Sequence, residues 1–273
     1  MSTLLLVHAH PDDEAISSGG VIARAHDWGH RVVLVTCTGG EAGEIHNMDE
    51  ASVRPRLKEV RAAELRAAAG ILGIDRLIDL GYRDSGMAGT EDNDNPASFH
   101  RAPTEDAAST LAAIILEERP EVVVTYGADG IYGHPDHVKA HHVTVAAVDM
   151  LARSNQAPEK LYFIAIPRSG LARMSEQFRE RGLADAFSQE DRPTLILGTP
   201  DEEITTVVDC SAYVDRKKRA FMAHTSQMAP DSFFLNTPED LFNTMFGTEC
   251  FVVARGATGQ VPESDLFAGL EEA

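Results

Sequence analysis

The sequence contains three cysteines, Cys37, Cys210 and Cys250, widely spaced and without a C-x-x-C pair. That excludes a disulfide framework and a cysteine-built zinc site, and it suits a reducing cytoplasm. No apolar run approaches the roughly 20 residues that span a bilayer. Basic side chains are scarce: 24 Lys and Arg stand against 43 Asp and Glu, a net charge of −19. A chain this acidic, with no basic tract, repels nucleic-acid phosphate and anionic membrane alike. Met1 to Val7 is apolar but lacks the charged start and longer apolar core of a signal peptide, so it reads as a first strand. Internal repeats and low-complexity tracts are missing too, and Gly19-Gly20 and Gly39-Gly40 do not form the G-x-G-x-x-G of a dinucleotide site.

What is present is an ordinary globular mixture, 43% hydrophobic and 25% charged. Thr3 to Val7, Arg31 to Thr38, Leu77 to Leu80 and Glu121 to Tyr126 have strand character. The run RVVLVTCT at Arg31 is what a strand covered on both faces requires. Between them Asp12 to His26, Arg56 to Leu72, Thr104 to Glu118 and Pro135 to Arg153 have helical character, with Thr104 as expected N-cap and Pro120 as a stop. The second half is less regular. Lys160 to Ile166, Thr194 to Leu197, Ile204 to Val208 and Phe251 to Val253 read as strands, and Arg168 to Arg181 and Val214 to Ala223 as helices. Arg216, Lys217, Lys218 and Arg219 are expected on a solvated helical face. This alternation predicts an α/β fold: a mainly parallel, Rossmann-like sheet with helices on both faces. A single domain over residues 1–273 is expected, with a regular core in 1–155 and a less regular part in 156–273.

Two clusters carry chemistry. The first, His8-Ala-His10-Pro-Asp12-Asp13-Glu14, lies where strand one gives way to a helix. Residues two apart on a strand share a face, so His8 and His10 are expected to point the same way. A capping role for Asp12 or Asp13 would account for one carboxylate but not for two histidines and three acids within seven residues. The second, Tyr132-Gly-His134-Pro-Asp136-His137, follows strand four and opens another helix. His141 and His142, just beyond, read as partly buried structural histidines. The long polar stretches Gly39 to Arg54 and Asp84 to Ala102 also follow strands, where open α/β sheets bind their ligands. Imidazole and carboxylate without thiolate suit Zn²⁺ or another first-row divalent ion at a site that keeps one position open.

The pair His10-Pro11-Asp12-Asp13-Glu14 and His134-Pro135-Asp136-His137 resembles the signature of the zinc-dependent N-acetylglucosaminyl deacetylases, the PIG-L or LmbE-like family. Supporting stretches run from Thr36 to Glu44, Arg83 to Thr90 and Val124 to Tyr126, and the likeness extends to about His224. Within the family the chain looks most like the mycothiol-pathway enzymes. The resemblance implies His10, Asp13 and His137 as metal ligands and Asp12 as general base. It implies His134, with Tyr132 on a mobile loop, as stabilisers of the tetrahedral intermediate, and Asp136 as the group that orients a histidine. Arg61, Asp84, Met87 and Glu44 match the family's sugar and aglycone contacts. The cofactor so implied is Zn²⁺, with Fe²⁺ as the alternative in a reducing cytosol. The implied reaction removes the acetyl group from an N-acetylglucosaminyl-inositol-like small molecule, releasing acetate and a free amine.

The partner expected is therefore a small amino sugar, with neither nucleic acid nor membrane; a homo-oligomer is compatible with the sequence. An amidase cutting a larger mycothiol S-conjugate at the same bond is the runner-up. Ser17 stands where that amidase would carry a lysine, which tilts the choice toward deacetylase. A metallo-β-lactamase reading of His8-x-His10-x-Asp12 conflicts with the βαβ texture. A non-catalytic sugar- or metal-binding module would have no use for a base beside the metal.

Overall fold

The computed structural model of the chain describes residues 1–183, 197–230 and 232–270. Seven strands form one sheet in the order β3-β2-β1-β4-β5-β7-β6. They are β1 (Thr3–His8), β2 (Arg31–Thr38), β3 (Arg76–Tyr82), β4 (Val122–Tyr126), β5 (Lys160–Ala165), β6 (Thr206–Asp209) and β7 (Thr248–Arg255). The first five are mutually parallel, and β7 runs antiparallel to both β5 and β6. In β1, Leu4, Leu5, Leu6 and Val7 are all fully buried, as a central strand covered on both faces demands.

Among the described residues twelve α-helical segments accompany the strands. Those before β3 are α1 (Asp13–Ser17), α2 (Gly19–Asp27), α3 (Glu50–Val53) and α4 (Leu57–Leu72). Next come α5 (Glu91–Asp94), α6 (Thr104–Glu118), the single distorted turn α7 (Gly130–Gly133) and α8 (Pro135–Ala152). The last four are α9 (Arg168–Glu180), α10 (Val214–Met222), α11 (Phe233–Asn236) and α12 (Glu239–Phe246). Helices α6 and α8 pack together on one face, while α2, α4 and α10 form a second packed group. Strand order reverses at the β1/β4 junction, so the loops after those two strands diverge and leave a crevice at their carboxyl ends. Both sequence clusters lie on those loops.

Four local expectations are corrected. The helix expected over Asp12 to His26 breaks at Ser18, whose φ of −148° is not helical. Two backbone N–H groups of the new start, on Gly20 and Val21, donate to the Glu249 carboxylate at 2.7 and 2.8 Å. A Cβ on Gly20 would stand 2.5 Å from that of Cys210, so only glycine allows this approach. The basic cluster is not a uniformly solvated face: Lys217 is 3% exposed and pairs with Glu249 at 2.6 Å, so the burial of one charge rests on the other. Arg216 also turns inward, to the Ile71 carbonyl and Asp27. Thr104 is the first helical residue rather than the cap, which is Pro103. Finally, β1 ends at His8, so the alternation expected to align His8 with His10 does not continue. The strand expected at Thr194 to Leu197 falls outside the described residues, apart from Leu197, which is not in a strand.

Candidate active site

The turn after β1 is shaped by one residue. Asp12 sits at the N-cap of α1 with φ +117°, a region costly for any residue with a Cβ. Its side chain makes no capping bond. The carboxylate instead accepts from Arg61 Nη2 at 2.9 Å and keeps 19% of its surface exposed. Burial raises the Asp12 pKa to about 6; Arg61 opposes that shift and neighbouring Asp13 adds to it. The Asp12 N–H donates to Glu14 Oε2 at 2.9 Å, and Glu14 Oε1 lies 2.7 Å from Nε2 of the fully buried His224. Arg61, 3% exposed on α4, also donates to the carbonyls of Gly40 and Pro11. It therefore holds the turn as well as the carboxylate.

His10 is packed among carboxylates. Its Nε2 lies 3.2 Å from Asp136 Oδ2 and 3.7 Å from Asp84 Oδ1, and its Nδ1 lies 3.4 Å from Asp13 Oδ2. Burial opposes a charged His10, but Asp84, Asp13 and Asp136 outweigh it and hold its pKa well above the ordinary value. Asp13 faces the same contest. Burial opposes its ionisation, and His137 and His10 overcome it to hold the carboxyl well below the usual range. His8 turns to Tyr126 and Ser18, and burial lowers its pKa to about 4.

The turn before α8 is built differently. His134 is the N-cap, and its Nδ1 accepts the Asp136 N–H at 3.1 Å. A neutral His134 therefore carries its proton on Nε2, a donor toward the cavity. Burial lowers its pKa to about 4, with His10 and His137 adding to the shift. Asp136 is fully buried. Its oxygens accept from the Ser85 N–H and hydroxyl as well as facing His10. His137 is almost fully buried, and neither of its ring nitrogens makes a hydrogen bond, although Nε2 lies 3.3 Å from Asp13 Oδ1. Tyr132, 37% exposed, follows Ile131 at φ +68° in a turn that is not helical. Its ring centroid lies 5.0 Å from that of His137 and 6.0 Å from that of His134. His141 is structural, with Nδ1 2.9 Å from the Tyr126 carbonyl oxygen.

These residues open into one cavity of about 1130 Å³. His10, Asp12, Asp13, Tyr132, His134, His137, Arg61, Asp84, Met87 and Glu44 all line it; Asp136 lies behind His10 and does not. Asp84 is buried, with Oδ1 on the Gly86 N–H and Oδ2 on the Ala42 N–H, whereas Met87 and Glu44 are exposed. Sequence reasoning missed Tyr126, Ser85, Glu14 and His224. Glu14 was inside the quoted motif, but its partner is 210 residues away and no spacing rule reaches it.

A buried imidazole whose two ring nitrogens make no hydrogen bond is rare in a folded protein, and it marks a place where a cation completes the set. Ring nitrogens of His10, His134 and His137 all lie within 4.8 Å of one another, and Asp13 reaches both His10 and His137. The donors are imidazole and carboxylate, and they fit Zn²⁺ or a similar divalent ion.

Residues 5–148 match the family model of the GlcNAc-PI de-N-acetylases, PIG-L. The chain is 43% identical to the 1D-myo-inositol 2-acetamido-2-deoxy-alpha-D-glucopyranoside deacetylase of Acidothermus cellulolyticus, over 98% of this chain and 95% of that protein. Among solved structures it resembles the N,N'-diacetylchitobiose deacetylase of Pyrococcus horikoshii, with a TM-score of 0.61 and 22% identity over 93% of this chain and 84% of the other. It also resembles the 4-carboxy-2-hydroxymuconate hydratase of Pseudomonas putida, with a TM-score of 0.58 and 21% identity over 95% of this chain and 99% of that one. Fold alone therefore spans more than one chemistry. The chain belongs to the PIG-L family. Among the described residues no helix is long and apolar enough to cross a membrane.

Proposed function

We propose that this PIG-L family member is a metal-dependent deacetylase of an N-acetylglucosaminyl-inositol-like small molecule, acting in a reducing cytoplasm. The observation that carries the reading is Asp12: a carboxylate released from capping, clamped by Arg61 and facing the cavity beside His137, whose ring nitrogens make no hydrogen bond. The name of the Acidothermus relative supports the substrate class. His10, Asp13 and His137 would hold Zn²⁺, which supplies Lewis acidity toward the acetamide carbonyl.

The protein's own groups do the rest. Asp12 takes the proton of the attacking water, a task suited to a carboxylate whose pKa burial has raised toward neutrality. His134, with its proton on Nε2, donates to the oxygen as negative charge develops there, and Tyr132 closes the same side. The proton collected by Asp12 is then the one available to the leaving nitrogen. Acetate and a free amine result, with no covalent intermediate. Asp136 fixes the ring of His10. Arg61 and Asp84 supply hydrogen-bonding groups for sugar hydroxyls on the cavity wall.

One observation favours a second reading, the S-conjugate amidase. Ile164, Ile166, Pro167, Met174 and Phe246 also line the cavity, more apolar wall than a small sugar needs. The experiment is amine release from N-acetylglucosaminyl-inositol and from a mycothiol S-conjugate, run in parallel with Zn²⁺-loaded protein. Preferred turnover of the small sugar is expected. Preferred turnover of the conjugate moves the assignment to the amidase, and turnover of neither overturns both.

A further inference from the structure

Tyr126, the last residue of β4, belongs to neither motif and is fully buried. Three polar groups meet at its hydroxyl. The Ala9 N–H donates to it at 2.8 Å, it donates to Asp13 Oδ2 at 2.8 Å, and His8 Nδ1 lies 3.1 Å away. A phenol has one proton to give. The Asp13 carboxylate can only accept, so that proton goes to Asp13. His8 Nδ1 must then be a donor to Tyr126. The other nitrogen of the neutral ring is an acceptor, and Ser18 Oγ lies 2.9 Å from it. The order His8 to Tyr126 to Asp13 follows from proton counting; behind His8, Ser18 Oγ lies 2.9 Å from Nε2 and 3.3 Å from the Glu14 carbonyl oxygen. The same tyrosine ring stacks on His137, with centroids 4.2 Å apart and planes inclined by 14°.

A tyrosine kept only to fill the core would need one partner for its hydroxyl. This one takes three, and it touches both Asp13 and His137, which come from different turns of the chain. We propose that Tyr126 is a positioning residue for the divalent cation. Its hydroxyl orients the Asp13 carboxylate, its ring sets the plane of His137, and His8 and Ser18 hold the hydroxyl in the donating direction. The proposal rests on the assignment of His10, Asp13 and His137 as metal donors.

The test is metal affinity rather than turnover. Apo protein is titrated with Zn²⁺ against a chromophoric chelator, alongside thermal unfolding of the apo form. Tyr126→Phe keeps the stacked ring and removes the hydroxyl; its dissociation constant should rise about 10- to 100-fold, the usual cost of losing a group that orients a ligand. Tyr126→Leu, which loses the ring as well, should bind more weakly still. If Tyr126→Phe does not fold, His8→Leu, which removes the donor behind the hydroxyl, should show a smaller rise in the same direction. A folded Tyr126→Phe, or in its place a folded His8→Leu, that binds Zn²⁺ like the wild type overturns the proposal, even if its melting temperature has fallen. A wild-type protein that binds no Zn²⁺ overturns instead the donor assignment beneath it.

Discussion

The turns after β1 and before α8 share the tripeptide His-Pro-Asp, yet the aspartate that follows the proline faces the cavity in the first and is buried behind it in the second. In the first turn Asp12 and His10 both line the cavity, with His10 packed among Asp13, Asp84 and Asp136. In the second, His134 faces the cavity and Asp136 is fully buried behind it. Backbone conformation makes the difference. Asp12 stands outside the helix at φ +117°, so its carboxylate is free of the N–H groups ahead and meets Arg61 instead. Asp136 lies within the first turn of α8, and its carboxylate points back to Ser85 and to His10. The buried aspartate of one turn thus holds the histidine of the other. The lesson is that a motif names the groups present, while the conformation of one residue decides which of them meets substrate.

The largest effect that would test this contrast comes from Asp12, the aspartate that faces the cavity. Asp12→Asn keeps the Arg61 contact and the size of the side chain but cannot take a proton. Turnover should fall by about 10²- to 10⁴-fold, the span ascribed to a positioned acid–base group. Zn²⁺ stoichiometry should not change, and steady-state kinetics with metal analysis would show both. Asp136→Asn should act elsewhere. His10 and Ser85 lose a charged acceptor, so Zn²⁺ affinity should weaken by about 10- to 100-fold, while turnover at saturating Zn²⁺ falls far less than in Asp12→Asn. Equal loss of turnover in the two variants, at saturating metal, would erase the distinction between the turns.

Much of this was legible in the chain and some was not, for identifiable reasons. The strands with buried β-branched runs, such as Val32 to Val35 and Val122 to Val124, announce themselves because both faces must be apolar. The two clusters could be placed at one sheet edge because parallel strands end on the same side. The resemblance implies that Asp136 orients a histidine, and Asp136 Oδ2 lies 3.2 Å from His10 Nε2. Three things resisted. The break at Ser18 depends on Glu249, a side chain from the far end of the chain. Lys217 looked like one member of a solvated run because its buried partner is also Glu249. Tyr126 closes a stretch that supports the family resemblance but was given no role, since nothing in EVVVTY distinguishes a core tyrosine from one that serves a site. Each miss is a long-range pairing of polar groups, which local periodicity does not encode.

The smallest effect concerns what stands behind each turn, and it separates them by sign. Behind Asp12, burial opposes a charged His224, but Glu14 and Asp12 outweigh it and raise its pKa above the ordinary 6.5. A raised folded-state value favours the protonated form in the folded protein. Its stabilisation is complete below about pH 6.5 and is lost as pH rises through the folded value. Behind His134, burial opposes ionisation of Asp136, but His10 and Ser85 outweigh it and lower its pKa below 3.8. That stabilisation is complete above the ordinary carboxyl value and is lost as pH falls through the lowered one. Metal-free wild type, His224→Gln and Asp136→Asn, melted across pH, should therefore diverge in opposite directions. The gap between wild type and His224→Gln should narrow toward alkaline pH, and the gap to Asp136→Asn should narrow toward acid. Each 1 kcal/mol corresponds to about 2–4 °C in a chain of roughly this size, so the changes are small but measurable. Two gaps that narrow on the same side would show that the turns do not differ in the charge that backs them.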